Sequence, residues 1–336
     1  MNNDLDFLDK NKANYKPLNP ISFLFKAEEI FPDRLSLIYN DINYTWKQTA
    51  IRCRKFASAL RKEGLTSRDV VGIIAANTPE LYEAHFAVPM SGMILNALNF
   101  RLDAKNIAYI IDHSEIKILF VDTEFSSIVK NALSMSKIKP IIIDIIDVKD
   151  GTCIGKNNYE SFLDNGDENF IHYEPKNEWD DISINYTSGT TGSPKGVIYH
   201  YRGAYLNSIG NILEWNMENH PIYLWTLPMF HCNGWCFPWT IAAKAGTNIC
   251  LRKITARNIY DSIYKHKVNY LCGAPIVLSM IASATKDEKK DFSHLCKIMT
   301  AASPPPAKVL QSMNEIGFDV THVYGLTEVF GPCVVC

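Results

Sequence analysis

The densest concentration of groups able to do chemistry is Tyr186-Thr187-Ser188-Gly189-Thr190-Thr191-Gly192-Ser193-Pro194-Lys195-Gly196-Val197, set between strand-like stretches at 182–185 and 197–199. Gly189, Gly192 and Gly196 permit left-handed backbone angles and leave amides bare. Ser188, Thr190, Thr191 and Ser193 add hydroxyl donors, and Lys195 adds a positive charge. Such a loop can cradle phosphate. It is not a P-loop: counted from Gly189, Pro194 stands where the second glycine is required and Gly196 where the magnesium-binding Ser or Thr is required.

Three other segments carry chemistry. In Tyr324-Gly325-Leu326-Thr327-Glu328, a carboxylate ends a strand-like run beside a glycine turn, which suits a magnesium ligand on ATP phosphates. Taken alone, Glu328 could equally be an ordinary helix N-terminal acid. In Ala301-Ala302-Ser303-Pro304-Pro305-Pro306, small residues leave room for a flat ring, or simply turn a strand into a helix. The stretch 228–239 gathers Phe230, Trp235 and Trp239 around His231, which fits an apolar pocket with one polar group or a structural histidine.

Together and in this order the strings resemble the adenylate-forming superfamily, which includes acyl-CoA synthetases, luciferases and peptide-synthetase adenylation domains. The resemblance runs from about Phe23 to the end of the chain, and the wording of 228–239 is closest to the medium-chain fatty-acid and methylthiopropionate CoA ligase branch. It implies an α/β fold of stacked, mostly parallel sheets with helices on both faces. It also implies ATP, Mg2+ and coenzyme A as reactants in fatty-acid metabolism.

The site residues follow by resemblance. Thr187, Ser188, Gly189, Thr190, Thr191, Gly192 and Lys195 hold phosphates. Ala302, Ser303, Pro304 and Tyr324 lie against the adenine, Gly325 belongs to the nucleotide site, Thr327 meets the α-phosphate, and Glu328 binds magnesium. His231, Trp235, Gly273 and Ala274 border the acyl chain, and Thr190, Lys195, His231, Thr327 and Glu328 are the catalytic set. His200-Tyr201-Arg202-Gly203 departs from the Ser-His-Arg-Gly of many relatives, which removes a ready role for the histidine. The implied reaction is attack of a short- to medium-chain carboxylate on ATP to give an acyl-adenylate, then thioester formation with coenzyme A. Transfer to a carrier protein and a catalytically silent nucleotide-binding fragment are the alternatives.

The family completes its reaction with a small C-terminal domain carrying a lysine, beyond a hinge that follows a ribose-binding aspartate. In a chain ending at Cys336 these are expected to be absent, leaving residues 1–336 unable to complete turnover alone. Apolar Val334 and Val335, after Gly331-Pro332, are then expected to lie uncovered.

Alternating elements must position these segments. Thr45-Trp46-Lys47-Gln48 reads as a capping box for a helix over 46–63 with Gly64 as its stop, and Asn77-Thr78-Pro79-Glu80 starts another after a strand at 70–75. Strands are expected at 118–121, 141–146, 182–186, 247–251, 297–301 and 320–324, consistent with covered parallel sheets. The Asn-, Asp- and Gly-rich stretch 150–180 reads as a surface connection between lobes at 23–180 and 181–336, after an N-terminal extension over 1–22.

With 336 residues, 47% hydrophobic and 21% charged, the chain can bury a large core, and its net charge of −2 argues against a nucleic-acid partner. Asp4, Asp6 and Asp9 occupy what would be the basic start of a secretory signal, and no apolar run of bilayer length occurs, so a cytoplasmic location is expected. A homodimer is left open. The 9 cysteines read as reduced thiols, since the CxxxC of Cys232 and Cys236 lies far from the CxxC of Cys333 and Cys336.

Overall fold

A computed structural model describes residues 9–187, 193–302 and 305–336. Local chemistry starts its first long helix. Thr45 Oγ1 accepts from the Gln48 amide at 3.2 Å while the Gln48 side chain accepts from the Thr45 amide at 2.8 Å, and the helix Trp46–Lys62 ends before Gly64 at φ 85°. Pro79 opens the helix Pro79–Met90, where its missing amide hydrogen leaves no bond unmade.

Among the described residues seven strands form one sheet, in the order Asn157–Asn158, Ile141–Ile145, Ile116–Asp122, Val70–Ile74, Ile94–Ala97, Asp181–Thr187 and Lys195–His200. Neighbours are parallel except the last pair, a hairpin that sets Thr187 opposite Lys195. Eight strands form a second sheet, in the order Gly331–Val335, Phe318–Leu326, Cys296–Thr300, Tyr270–Cys272, Ile222–Leu224, Thr247–Ile249, Leu35–Tyr39 and Ile42–Thr45. It is parallel inside and antiparallel at both edges. The sheets interleave across residue 180, since Leu35–Tyr39 joins the second sheet and Asp181–His200 completes the first.

The largest core cluster fills the space between the sheets, taking Val71, Ile73 and Phe120 from one and Leu37, Tyr223 and Tyr270 from the other. Alternation along each strand sends the intervening residues outward. Ile38, Leu224 and Leu271 meet the helices Ala256–His266 and Pro275–Ala282, while Ile74, Leu119 and Val121 meet the helices Ala104–His113 and Ser126–Met135.

Two expectations are corrected. The stretch 150–180 is more than a surface connection: its helix Tyr159–Asp164 buries Tyr159, Phe162 and Leu163, and Tyr159 donates to Glu83 at 2.5 Å. The expectation that Val334 and Val335 lie uncovered is corrected for Val335, which packs on the core in the strand Gly331–Val335 paired with Phe318–Leu326; Val334 is 51% exposed as expected. No helix among the described residues is long and apolar enough to cross a membrane.

Candidate functional site

Parallel strands deliver their following segments to one edge, the usual place for a ligand in an open α/β sheet. In the second sheet that edge receives Trp225 onward after Ile222–Leu224, Gly273 and Ala274 after Tyr270–Cys272, Ala301 and Ala302 after Cys296–Thr300, and Thr327 and Glu328 after Phe318–Leu326. The other sheet meets it there. The strand Asp181–Thr187 packs beside the turn Thr327–Val329, and the Tyr199 hydroxyl donates to the Thr327 carbonyl at 2.6 Å.

The segment leading to His231 is held by buried asparagines. Asn77 Nδ2 donates to the carbonyls of Trp225 at 3.0 Å and Leu227 at 2.9 Å, its Oδ1 accepts from the Met229 amide at 2.9 Å, and Asn185 donates to the Phe230 carbonyl at 2.7 Å. Beyond it, Cys232, Asn233, Gly234, Trp235 and Cys236 all take left-handed angles, with φ between 48° and 64°. For non-glycine residues such a run costs about 1–2 kcal/mol each, so tertiary bonds must impose it. Ser183 donates to Asn233 Oδ1 at 2.8 Å, Asn211 to the Trp235 carbonyl at 2.9 Å, and Asn207 to Cys236 Sγ at 3.3 Å. Any side chain at position 234 would stand 2.6 Å from the Trp225 ring.

His231 itself keeps an accessible face. The surrounding protein and the nearby Arg101 guanidinium hold its pKa below the usual value, so it is neutral at pH 7. Burial pushes the Cys232 thiol up and leaves it protonated, against a nucleophilic role. Trp235 is buried, and Trp239 is a core residue whose indole N–H donates to the His85 carbonyl at 3.1 Å. Gly273 is buried against Val277, and Ala274 is exposed at the start of the helix Pro275–Ala282.

Tyr324 is 54% exposed. At Gly325 the hairpin closes so tightly that a Cβ would lie 1.9 Å from the Gly331 carbonyl oxygen. Glu328 is exposed and forms no ion pair among the described residues, and Lys195 is exposed at the start of its strand. Thr187 is half-buried and Ala302 sits at φ 78°. Ser188, Gly189, Thr190, Thr191, Gly192, Ser303 and Pro304 lie outside the described residues.

His200 caps the helix Tyr201–Glu214, its Nδ1 accepting from the Gly203 amide at 2.8 Å, which gives the departing position a structural task. No group of three potential metal-ligating side chains occurs among the described residues. Sequence reasoning missed Asn77, Asn185, Tyr199, Asn207 and Asn211. Their partners lie far away in the chain, so no local pattern marks them.

The chain is 45% identical over 351 aligned positions to the peroxisomal acetate/butyrate–CoA ligase AAE7 of Arabidopsis thaliana and 46% identical to the acetate–CoA ligase CCL3 of Humulus lupulus, covering 99% of this chain in both alignments. It spans 61% of the length of each. Among solved structures, the anthranilate CoA ligase AuaEII bound to anthranoyl-AMP superimposes with a TM-score of 0.85 at 20% identity, covering 97% of this chain and 63% of that one, which supports the fold. The signature of the AMP-binding enzymes matches residues 24–336, and the chain belongs to that family.

Proposed function

We propose that this protein activates a short- to medium-chain carboxylic acid with ATP as the acyl-adenylate and serves its transfer to coenzyme A. The observation that carries the reading is the junction of the strand Asp181–Thr187 with the Thr327–Val329 turn, beside the His231 segment. Relatives named for acetate, butyrate and 2-methylpropanoate favour the short end of the range.

A free carboxylate is a poor acyl donor because its leaving group would be oxide. Attack of a carboxylate oxygen on the α-phosphorus forms the acyl–phosphate bond while the bridge to the β-phosphate breaks and pyrophosphate leaves with the electron pair. Lys195, Thr190, Thr191 and Thr327 would supply charge and hydrogen bonds where negative charge accumulates. The Glu328 carboxylate, unneutralised among the described residues, is a hard oxygen ligand suited to magnesium, which when bound would screen the phosphate oxygens. His231, held neutral, borders the acyl end without repelling a cation or attracting a second anion. The thiol of coenzyme A then attacks the acyl carbonyl, and AMP departs with the electrons of the broken bond.

Acid-dependent exchange of pyrophosphate into ATP, run from acetate upward in chain length, tests this. Each buried CH2 should add about 0.8 kcal/mol until the pocket is full. A preference for an amino acid or an aromatic acid would overturn the acid assignment, and the absence of exchange with every acid would overturn the activity. A cytoplasmic location and a homodimer belong to the same reading. Fractionation would distinguish the cytoplasm from the peroxisome of relatives so named, and light scattering would give the assembly.

A further inference from the structure

We propose that Tyr199 is a positioning residue that sets the Thr327–Glu328 turn for magnesium-bound ATP, a role that rests on the function proposed above. Tyr199 lies in the strand Lys195–His200, four residues after Lys195, so strand alternation puts the two side chains on the same face. Its ring is only 4% exposed. The hydroxyl donates to the Thr327 carbonyl at 2.6 Å, and the ring stacks on Phe330 with centroids 3.6 Å apart and planes 11° from parallel.

Phe330 needs that support. It ends the Thr327–Val329 turn at φ 67°, a left-handed angle unfavourable for a bulky side chain. Its carbonyl accepts from Asn207 Nδ2 at 2.9 Å, and Asn207 lies on the helix that follows the Tyr199 strand. Both ends of the turn are therefore gripped by one continuous piece of chain, residues 195–214, whose first member is Lys195. On the near side the Cys232 thiol reaches Thr327 Oγ1 at 3.7 Å, which limits where the hydroxyl can swing. Thr327 and Glu328 cannot shift without breaking the Tyr199 bond, the Phe330 stack or the Asn207 bond. The strand thus acts as a strut that keeps the cation of Lys195 and the carboxylate of Glu328 in fixed relation, as a shared magnesium–phosphate ligand requires.

The test is ATP affinity of the purified protein by calorimetry, with saturating magnesium and with EDTA, alongside the thermal midpoint. Tyr199→Phe keeps the stack and removes one buried hydrogen bond. It should weaken ATP binding roughly five- to tenfold with magnesium, raise the magnesium concentration for half-maximal binding, and leave affinity in EDTA within about twofold of the wild type. Asn207→Ala, acting at the other end of the turn, should give the same magnesium-selective pattern and carries the test if Tyr199→Phe does not fold. Lys195→Ala is the contrast, since it should weaken ATP with and without magnesium. Equal losses in both conditions for Tyr199→Phe and Asn207→Ala, or no loss in either, would overturn the positioning role while wild-type ATP binding upholds the proposed function. Failure of the wild type to bind ATP would overturn both.

Discussion

Replacing Asn77 by Ala probes how the His231 segment is held. The side chain is buried and makes three hydrogen bonds, two donated to the Trp225 and Leu227 carbonyls and one accepted from the Met229 amide, and together they join the end of the first sheet's Val70–Ile74 strand to the second sheet. Alanine removes all three and leaves two carbonyls and an amide without partners in a place closed to water. Net loss is about 0.5–1.5 kcal/mol per bond, with about 1–3 kcal/mol for each stranded group when nothing relaxes. Partial relaxation puts the expected cost at about 3–5 kcal/mol. An unfolding entropy of roughly 2.1 cal/mol/K per residue converts this to a fall of about 4–7 °C in the thermal midpoint. Asn77→Asp should be at least as damaging, because it keeps the acceptor but faces two carbonyls with a carboxylate. Scanning calorimetry measures the shift, and pyrophosphate exchange should fall more than stability alone explains. A midpoint within about 1 °C of wild type for Asn77→Ala would refute the argument that these bonds carry the segment.

Three further outcomes are expected. Lys195→Ala and Thr190→Val should each weaken nucleotide binding by about 1.5–3 kcal/mol, and unchanged affinity in both would sink the phosphate-loop assignment. Gly325→Ala forces a Cβ to within 1.9 Å of the Gly331 carbonyl oxygen, so the hairpin must open. More than about 2 kcal/mol of stability should be lost along with ATP binding, and a variant with wild-type melting would contradict the geometry. Burial pushes the Glu80 carboxyl up to about 7 from 4.5, and its Oε2 has no partner among the described residues. Because the folded value lies above the unfolded one, stability present below about pH 4.5 is lost as the pH rises through about 7. Relative to wild type, Glu80→Gln should gain about 1–3 kcal/mol at pH 8 over its difference at pH 4.5, and an equal difference at both pH values in urea titrations would reject this.

The helix Trp46–Lys62 and the strand Val70–Ile74 were legible because their signals are local, whereas the pairing of Lys195 with Thr187 in a hairpin was not. A capping pair lies three residues apart, and a continuous apolar run marks a strand buried on both faces. The family was legible for the same reason, since each motif is a contiguous string. Short strands such as Ile222–Leu224 and Tyr270–Cys272 are three residues long and exist because neighbours supply their partners, so no periodicity announces them. The antiparallel edges and the interleaving of 35–45 with 222–335 are likewise decided by pairing between distant segments.

At the candidate site the division follows the same physics. The sequence by itself marked candidates for contact with phosphate, magnesium and an acyl chain, through side-chain type, spacing and resemblance to the family. Only the tertiary structure decided that Trp239 belongs to the core, that residues 232–236 run left-handed, and that Tyr199 and Asn207 hold the Thr327–Val329 turn. These depend on hydrogen bonds and ring contacts between residues up to 154 positions apart. Backbone strain of a few kcal/mol can persist only where such contacts outweigh local preference, and local preference is what a sequence pattern records.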